Sequence, residues 1–168
     1  MLDFNRIFDE YADTIYNHSF RMLGNRQDAE EAAQDAFLKI HRGLDGYRGD
    51  SKLSTWIYRI TTNVCLSRLR KKTLPTDSLD GAVEDKGTQF ESSLLPPDLG
   101  MEDDELRDHL ITLVGRLAPQ YRQMVTLFYF EDLSYDEIAD ITGVPSGTIG
   151  SAIHRAKQQL RNMLIKEL

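Results

Sequence analysis

LSYDEIADITGVPSGTIGSAIHRAKQQL, residues 133–160, decides the fold of this chain. Ser134 and Glu137 have the S-x-x-E spacing of a capping box, which ties off the free N–H groups of a new helix. Ile138 and Ile141 supply an apolar face. Gly143 sits where a sharp turn between two helices needs a positive φ. Pro145 can open a second helix, because its missing N–H would be unpaired there anyway. In that helix Ile149, Ile153, Ala156 and Leu160 share one face at helical spacing. Thr148, Ser151, Arg155 and Gln158 share the opposite one. Short hydroxyl and amide side chains with one arginine, exposed on the second helix of such a pair, suit the DNA major groove. A plain helical hairpin with a solvated outer face fits the same pattern, so the rest of the chain has to decide.

The chain has 168 residues, 40% of them hydrophobic, enough for one or two small cores. Its start, MLDFNRIFDEY, is acidic and amphipathic, unlike a signal peptide. No apolar run is long enough for stable membrane insertion. One cysteine, Cys65, cannot form an internal disulfide and suits a reducing cytoplasm. Lying mid-helix between Val64 and Leu66, it reads as a structural thiol. A formal charge of −7 looks wrong for a DNA-binding protein, but the distribution matters more. Positions 51–72 hold Lys52, Arg59, Arg68, Arg70, Lys71 and Lys72 and no acid. Positions 142–168 hold Arg155, Lys157, Arg161 and Lys166 against Glu167. Between them, 73–108 carries eleven acids and only two cations.

Taken in order, a first helix is expected over 3–23, with Phe4, Ile7, Phe8, Tyr11 and Ile15 on its apolar stripe. A second runs over 26–44. Its stripe is Ala29, Ala33, Ala36, Phe37, Ile40 and Leu44, and its other face is Glu31, Gln34, Asp35 and Leu38. Leu38 among exposed acids hints at a protein partner; a solvated face is equally consistent. Residues 45–52 form a glycine-containing loop with Tyr47 and Arg48. A third helix over 54–72 buries Leu53, Ile57, Ile60 and Val64. Arg59, Asn63, Leu66 and Arg70 lie outward, with Thr55 near the start and Trp56 at the edge. An aromatic beside cations and amides suits single-stranded nucleic acid, where bases stack and cations follow phosphates. Trp56 half-buried at a domain rim is the plainer alternative.

Residues 74–100, with three prolines and several acids, read as a flexible linker. A helix over 102–117 follows, with Leu106, Leu110, Leu113, Val114 and Leu117 on one side. Pro119 starts another, through Tyr129. The expected class is all-α: a domain over 1–73, the linker over 74–100, and a four-helix domain with the helix-turn-helix over 101–168. No glycine-rich phosphate loop is present, so no cofactor is expected. His18, His41, His109 and His154 lack metal-ligand spacing and read as surface or helix-edge residues. No nucleophile or carboxylate pair is marked as catalytic by its neighbours.

Together these segments resemble bacterial RNA polymerase sigma factors of the extracytoplasmic-function group. DAEEAAQDAFLKIHRGL, 28–44, resembles the family's segment that docks on core polymerase. YRGDSKLSTWIYRITTNVCLSRLRKK, 47–72, resembles the one that reads and opens the promoter minus-10 element. LAPQYRQMVTLFYFEDLSYDEIADITGVPSGTIGSAIHRAKQQL, 117–160, resembles the domain that reads the minus-35 element. The resemblance implies a protein that binds core RNA polymerase and promoter DNA, helps melt the DNA, and catalyses no reaction. It also implies an anti-sigma factor as partner. Glu31, Gln34, Asp35 and Leu38 would meet polymerase. Tyr47, Arg48, Lys52, Thr55, Trp56, Arg59, Asn63 and Arg70 would meet the minus-10 strand. Ser146, Thr148, Ser151, Arg155, Lys157 and Gln158 would meet the minus-35 duplex.

The chain departs from the family where Gly150-Ser151-Ala152 stands in place of a serine flanked by basic residues. It also has Ser67 where an acid is common. Glycine inside a helix costs about 1 kcal/mol relative to alanine. On this reading, lysine at position 150 should strengthen DNA binding. Two competing readings follow: a sigma-like decoy that sequesters an anti-sigma factor without touching DNA, and a stand-alone helix-turn-helix repressor. The repressor leaves the first domain without a role.

Overall fold

A computed structural model describes residues 2–73 and 104–167. The expected linker, 74–100, and the expected starts of the last domain and its first helix lie outside the described residues. The described residues form two compact units, one on each side of that stretch. All their regular structure is helical.

The first unit is three helices: α1 Phe4–Leu23, α2 Arg26–Gly43 and α3 Leu53–Thr73. Asp3 caps α1 by accepting from the Asn5 N–H at 3.1 Å, and Gly24 ends it at φ 84°. One residue later Asn25 caps α2, its side chain accepting from the Asp28 N–H at 2.8 Å. This short connection forces α1 and α2 antiparallel. Alanine then sets how close they come. Ala29, Ala32, Ala33 and Ala36 are all buried, and α2 packs against both other helices. The shared core is Ile7, Ile15, Met22, Leu23, Ile40, Ile57, Val64 and Cys65 with Ala32, Ala33 and Ala36.

Four expectations change here. Phe8 stays 44% exposed, and Phe37 is half-buried against it, with ring centroids 4.6 Å apart. Both lie at the open end of the α1–α2 pair. Leu66, expected outward, packs on the core. His18, expected at the surface, is 0% exposed, with Nε2 at 2.9 Å from the Thr62 Oγ1 and the ring edge-on to Tyr58. The last turns of α1, from His18 to Leu23, are buried on every side, so no stripe marks them in sequence. Finally, α2 ends at Gly43, and Leu44–Gly46 is a separate 3-10 turn.

The second unit holds α4 Asp104–Gly115, α5 Pro119–Val125, α6 Tyr135–Thr142 and α7 Ser146–Glu167. Beyond α5 the chain makes a π-turn over Thr126–Phe130, with the Glu131 N–H reaching the Thr126 carbonyl at 3.1 Å. The helix expected through Tyr129 therefore changes pitch. Asp132, at φ 56°, then redirects the chain into α6. Val114, Leu117, Met124, Leu127, Ile138, Ile149, Ile153 and Ala156 are buried. Leu106, expected on the buried side of α4, is exposed. Glu167 receives the Arg116 guanidinium and the His109 Nε2, each at 2.6 Å, pinning the end of α7 to α4.

Burial pushes the Cys65 thiol up to about 12, against minor opposition from the Ser19 hydroxyl and the Arg68 charge. Native protein should therefore resist alkylation at pH 8 and react only when denatured. Unfolding frees a thiol that ionises near 9.0, so stability should fall as pH rises from there towards 12. Urea melts and iodoacetamide labelling with mass detection measure both effects.

Candidate functional site

In the second unit the helix-turn-helix forms as the spacing predicts. The capping box closes in both directions: Glu137 N–H to Ser134 Oγ at 3.1 Å, and Ser134 N–H to Glu137 Oε1 at 3.3 Å. Gly143 turns the chain at φ 75°. Pro145 stands just before α7 and lends its carbonyl to the Ile149 N–H at 3.0 Å. Ile149, Ile153 and Ala156 face the core. Ser146, Thr148, Ser151, Arg155, Lys157 and Gln158 are all exposed, as a DNA-reading face requires.

These six do not form one uniform surface. With 3.6 residues per turn, Ser151 and Gln158 lie opposite the core, and two flanks run beside them. Thr148 and Arg155 border a depression against α5, beside Gln120 and Tyr121. On the other flank Lys157 holds its ammonium 5.4 Å from the centre of the Tyr129 ring. Above it Tyr135 lies over Gly150. A Cβ on Gly150 would come 3.3 Å from the Tyr135 Cε2, so the ring must yield to any side chain there, lysine included.

In the first unit, Tyr47 and Trp56 of the expected minus-10 set come together. The Tyr47 ring lies 5.0 Å from Trp56, and its hydroxyl donates to the Ser51 carbonyl, closing the loop. Trp56 is half-buried, packed on the core. Its seat depends on Gly43, where a Cβ would meet the Trp56 Cζ2 at 3.1 Å. Arg48, Lys52, Asn63 and Arg70 are exposed, and Arg59 is half-buried. Thr55 departs from the set: it is 5% exposed, because the first turn of α3 points it inward. It cannot meet a base from there.

The basic run and the acidic helix face are not independent surfaces. Arg68 donates to Glu31 at 3.1 Å and to Asp35 at 2.6 Å, and Lys72 pairs with Asp28. Burial alone would raise the Asp28 carboxyl. Hydrogen bonds from Lys72 and Asn25, with the Lys72 and Arg68 charges, outweigh it and hold Asp28 below its usual range. Two of the four expected polymerase contacts, Glu31 and Asp35, thus already have a partner. Gln34 and Leu38 are exposed, Leu38 at 54%. Sequence offered no signal for these pairs, since the partners are 33 to 44 residues apart. Among the described residues no group of side chains could hold a metal, and no helix is long and apolar enough to cross a membrane.

One unit with an aromatic and basic rim and another with a helix-turn-helix is the architecture of a two-domain transcription factor. Residues 7–74 match the Sigma-70 region 2 family, and residues 107–160 match Sigma-70, region 4. The ECF RNA polymerase sigma factor SigW of Bacillus subtilis is 37% identical over 166 residues, covering 96% of this chain and 88% of that protein. The ECF RNA polymerase sigma-E factor of Escherichia coli K12 is 33% identical over 156 residues, 88% of this chain and 81% of that one. In fold, the chain is similar to the sigma factor RpoE crystallised with the anti-sigma factor NepR from Bartonella quintana. That similarity has a TM-score of 0.74 at 24% identity, over 96% of each chain. The chain belongs to the sigma-70 family, in its extracytoplasmic-function group.

Two predictions follow from the site geometry. Asn63→Ala should leave stability nearly unchanged, because the side chain is exposed, yet reduce permanganate reactivity of promoter DNA in the holoenzyme. Trp56→Ala should also cost about 3 kcal/mol of unfolding free energy, as a core-packed aromatic. Equal melting of DNA by the parent and the Asn63 variant would remove Asn63 from the strand path. At the other unit, Arg155→Ala should cost about 1–3 kcal/mol on the preferred minus-35 sequence and less on scrambled ones. Lys157→Ala should weaken all sequences alike and make the salt slope shallower by about one. Filter binding of holoenzyme to promoter variants at several salt concentrations separates the two.

Proposed function

We propose that this chain is a promoter-specificity subunit, a transcription initiation factor that binds core RNA polymerase, directs it to a set of promoters and assists melting. The observation that carries this is the pairing, within one chain, of the Tyr47–Trp56 rim with an outward polar recognition helix. Neither is useful alone. A helix-turn-helix can place polymerase on a duplex, and an aromatic rim can hold a base only after the duplex opens.

Polymerase docks on α2 through Gln34 and Leu38, with Glu31 and Asp35 beside them. The minus-10 strand follows Arg48, Lys52, Arg59, Asn63 and Arg70, with Tyr47 and Trp56 offering faces for stacking. The minus-35 duplex meets Ser146, Thr148, Ser151, Arg155 and Gln158, with Lys157 on a phosphate. The first domain ends near 73 and the last begins near 101, a division supported by separate family matches over 7–74 and 107–160. The protein catalyses nothing; polymerase does the chemistry. It works in the cytoplasm with polymerase, and an anti-sigma factor holds it inactive. That partner is supported by the anti-sigma complex of the similar RpoE.

Run-off transcription with purified core polymerase on a genomic promoter library tests this reading. Initiation at defined sites is expected. Its absence, with binding to core intact, would favour the decoy. Gln34→Ala with Leu38→Ala should weaken core binding at least tenfold while leaving the helical circular dichroism unchanged, since both side chains are exposed. Asp35 is a poorer probe, because its loss also releases Arg68.

A further inference from the structure

Arg68 lies in the basic run of α3, among cations that the sequence groups with a DNA-facing set, yet its guanidinium is turned to α2. One nitrogen of the fork, Nη1, donates to Glu31 Oε2 at 3.1 Å, and the other, Nη2, donates to Asp35 Oδ2 at 2.6 Å. The two carboxylates stand four residues apart on α2, where like charges on one helix face repel. A planar guanidinium suits such a pair, because its donors have a fixed spacing that a single ammonium lacks. Exposure divides the three groups: the Arg68 side chain is 26% exposed, whereas Glu31 and Asp35 keep 48% and 47%. The cation is turned inward while the carboxylates it holds stay open to a partner. One turn further along α3, Lys72 pairs with Asp28 instead.

We propose that Arg68 is a positioning residue of the polymerase dock: its forked guanidinium fixes Glu31 and Asp35 in the arrangement that polymerase meets, and Arg68 itself does not grip promoter DNA. This rests on the reading of α2 as the surface that binds core polymerase. A donor group on polymerase finds two acceptors already placed, with their mutual repulsion relieved. The cost of ordering them is met on folding rather than on association. Preorganisation of this kind shows mainly in how long a complex lasts, since encounter depends on overall charge and lifetime on fitted contacts.

The test measures association and dissociation of the full chain on immobilised core polymerase, with the parent, Arg68→Lys and Lys72→Ala. Arg68→Lys keeps the charge and loses the fork, so one ammonium has to serve two carboxylates. It should unfold at nearly the parental temperature, because exposed ion pairs contribute little to stability. Its dissociation from core should be faster by about three- to tenfold, with association nearly unchanged. Lys72→Ala breaks the neighbouring pair between the same two helices and should dissociate at the parental rate. With core polymerase saturated, permanganate reactivity of promoter DNA should be the same for Arg68→Lys as for the parent. Dissociation of Arg68→Lys at the parental rate would overturn the proposal. Equal acceleration by Lys72→Ala would also overturn it, by reducing Arg68 to a tether between α2 and α3. Reduced melting by Arg68→Lys at saturating polymerase would return Arg68 to the DNA face. Failure of the parent chain to bind core would overturn the dock reading itself, and so is distinguishable from each of these results.

Discussion

Close approach of α2 to its neighbours is the constraint on which the first unit depends. Four buried alanines let the backbone of α2 pack against both α1 and α3. A larger residue at any of them would push a helix away and leave gaps that dense cores do not tolerate. Because that face is committed to packing, the rest of α2 is left to do polar work. The same close approach brings Asp28, Glu31 and Asp35 within reach of Lys72 and Arg68 on α3. The packing of small residues and the ion pairs are thus two consequences of one geometry.

Those ion pairs alter how the surface should be understood. Pairs this exposed contribute only modestly to stability, on the order of 1 kcal/mol or less each, and are screened by salt. Their larger effect is on display. Arg68 and Lys72 present less positive charge to DNA than a count of cations suggests. Arg68 also holds Glu31 and Asp35 in fixed positions, while each keeps about half its side chain exposed. Helices α2 and α3 are therefore linked by side chains, within one unit.

A second pattern joins the two units. At each, a partly exposed aromatic side chain is seated by a glycine on a neighbouring helix: Trp56 on Gly43, and Tyr135 on Gly150. Neither glycine has a positive φ. Both are used for closeness rather than for backbone freedom. An aromatic ring carries few rotamers, so once its base is held its outer edge is placed with little entropic cost.

The local elements were legible in the residues themselves. The Ser134–Glu137 box starts α6, Gly143 ends it, and apolar spacing gives the faces of α6 and α7. These are interactions over three or four residues, so spacing encodes them directly. The order of the three family-like segments also lay in the sequence alone, and with it the function. Tertiary structure decided the rest. It buried His18 and Thr55, drew Leu66 inward, left Phe8 and Leu106 outside, paired Arg68 and Lys72 across helices, and laid Tyr135 over Gly150. Each depends on how far one helix is rotated about its axis relative to another. Periodicity defines a face to within one residue or so, and one residue turns a side chain by about 100°. That angle separates a core position from a rim position, and a cation facing DNA from one facing a carboxylate.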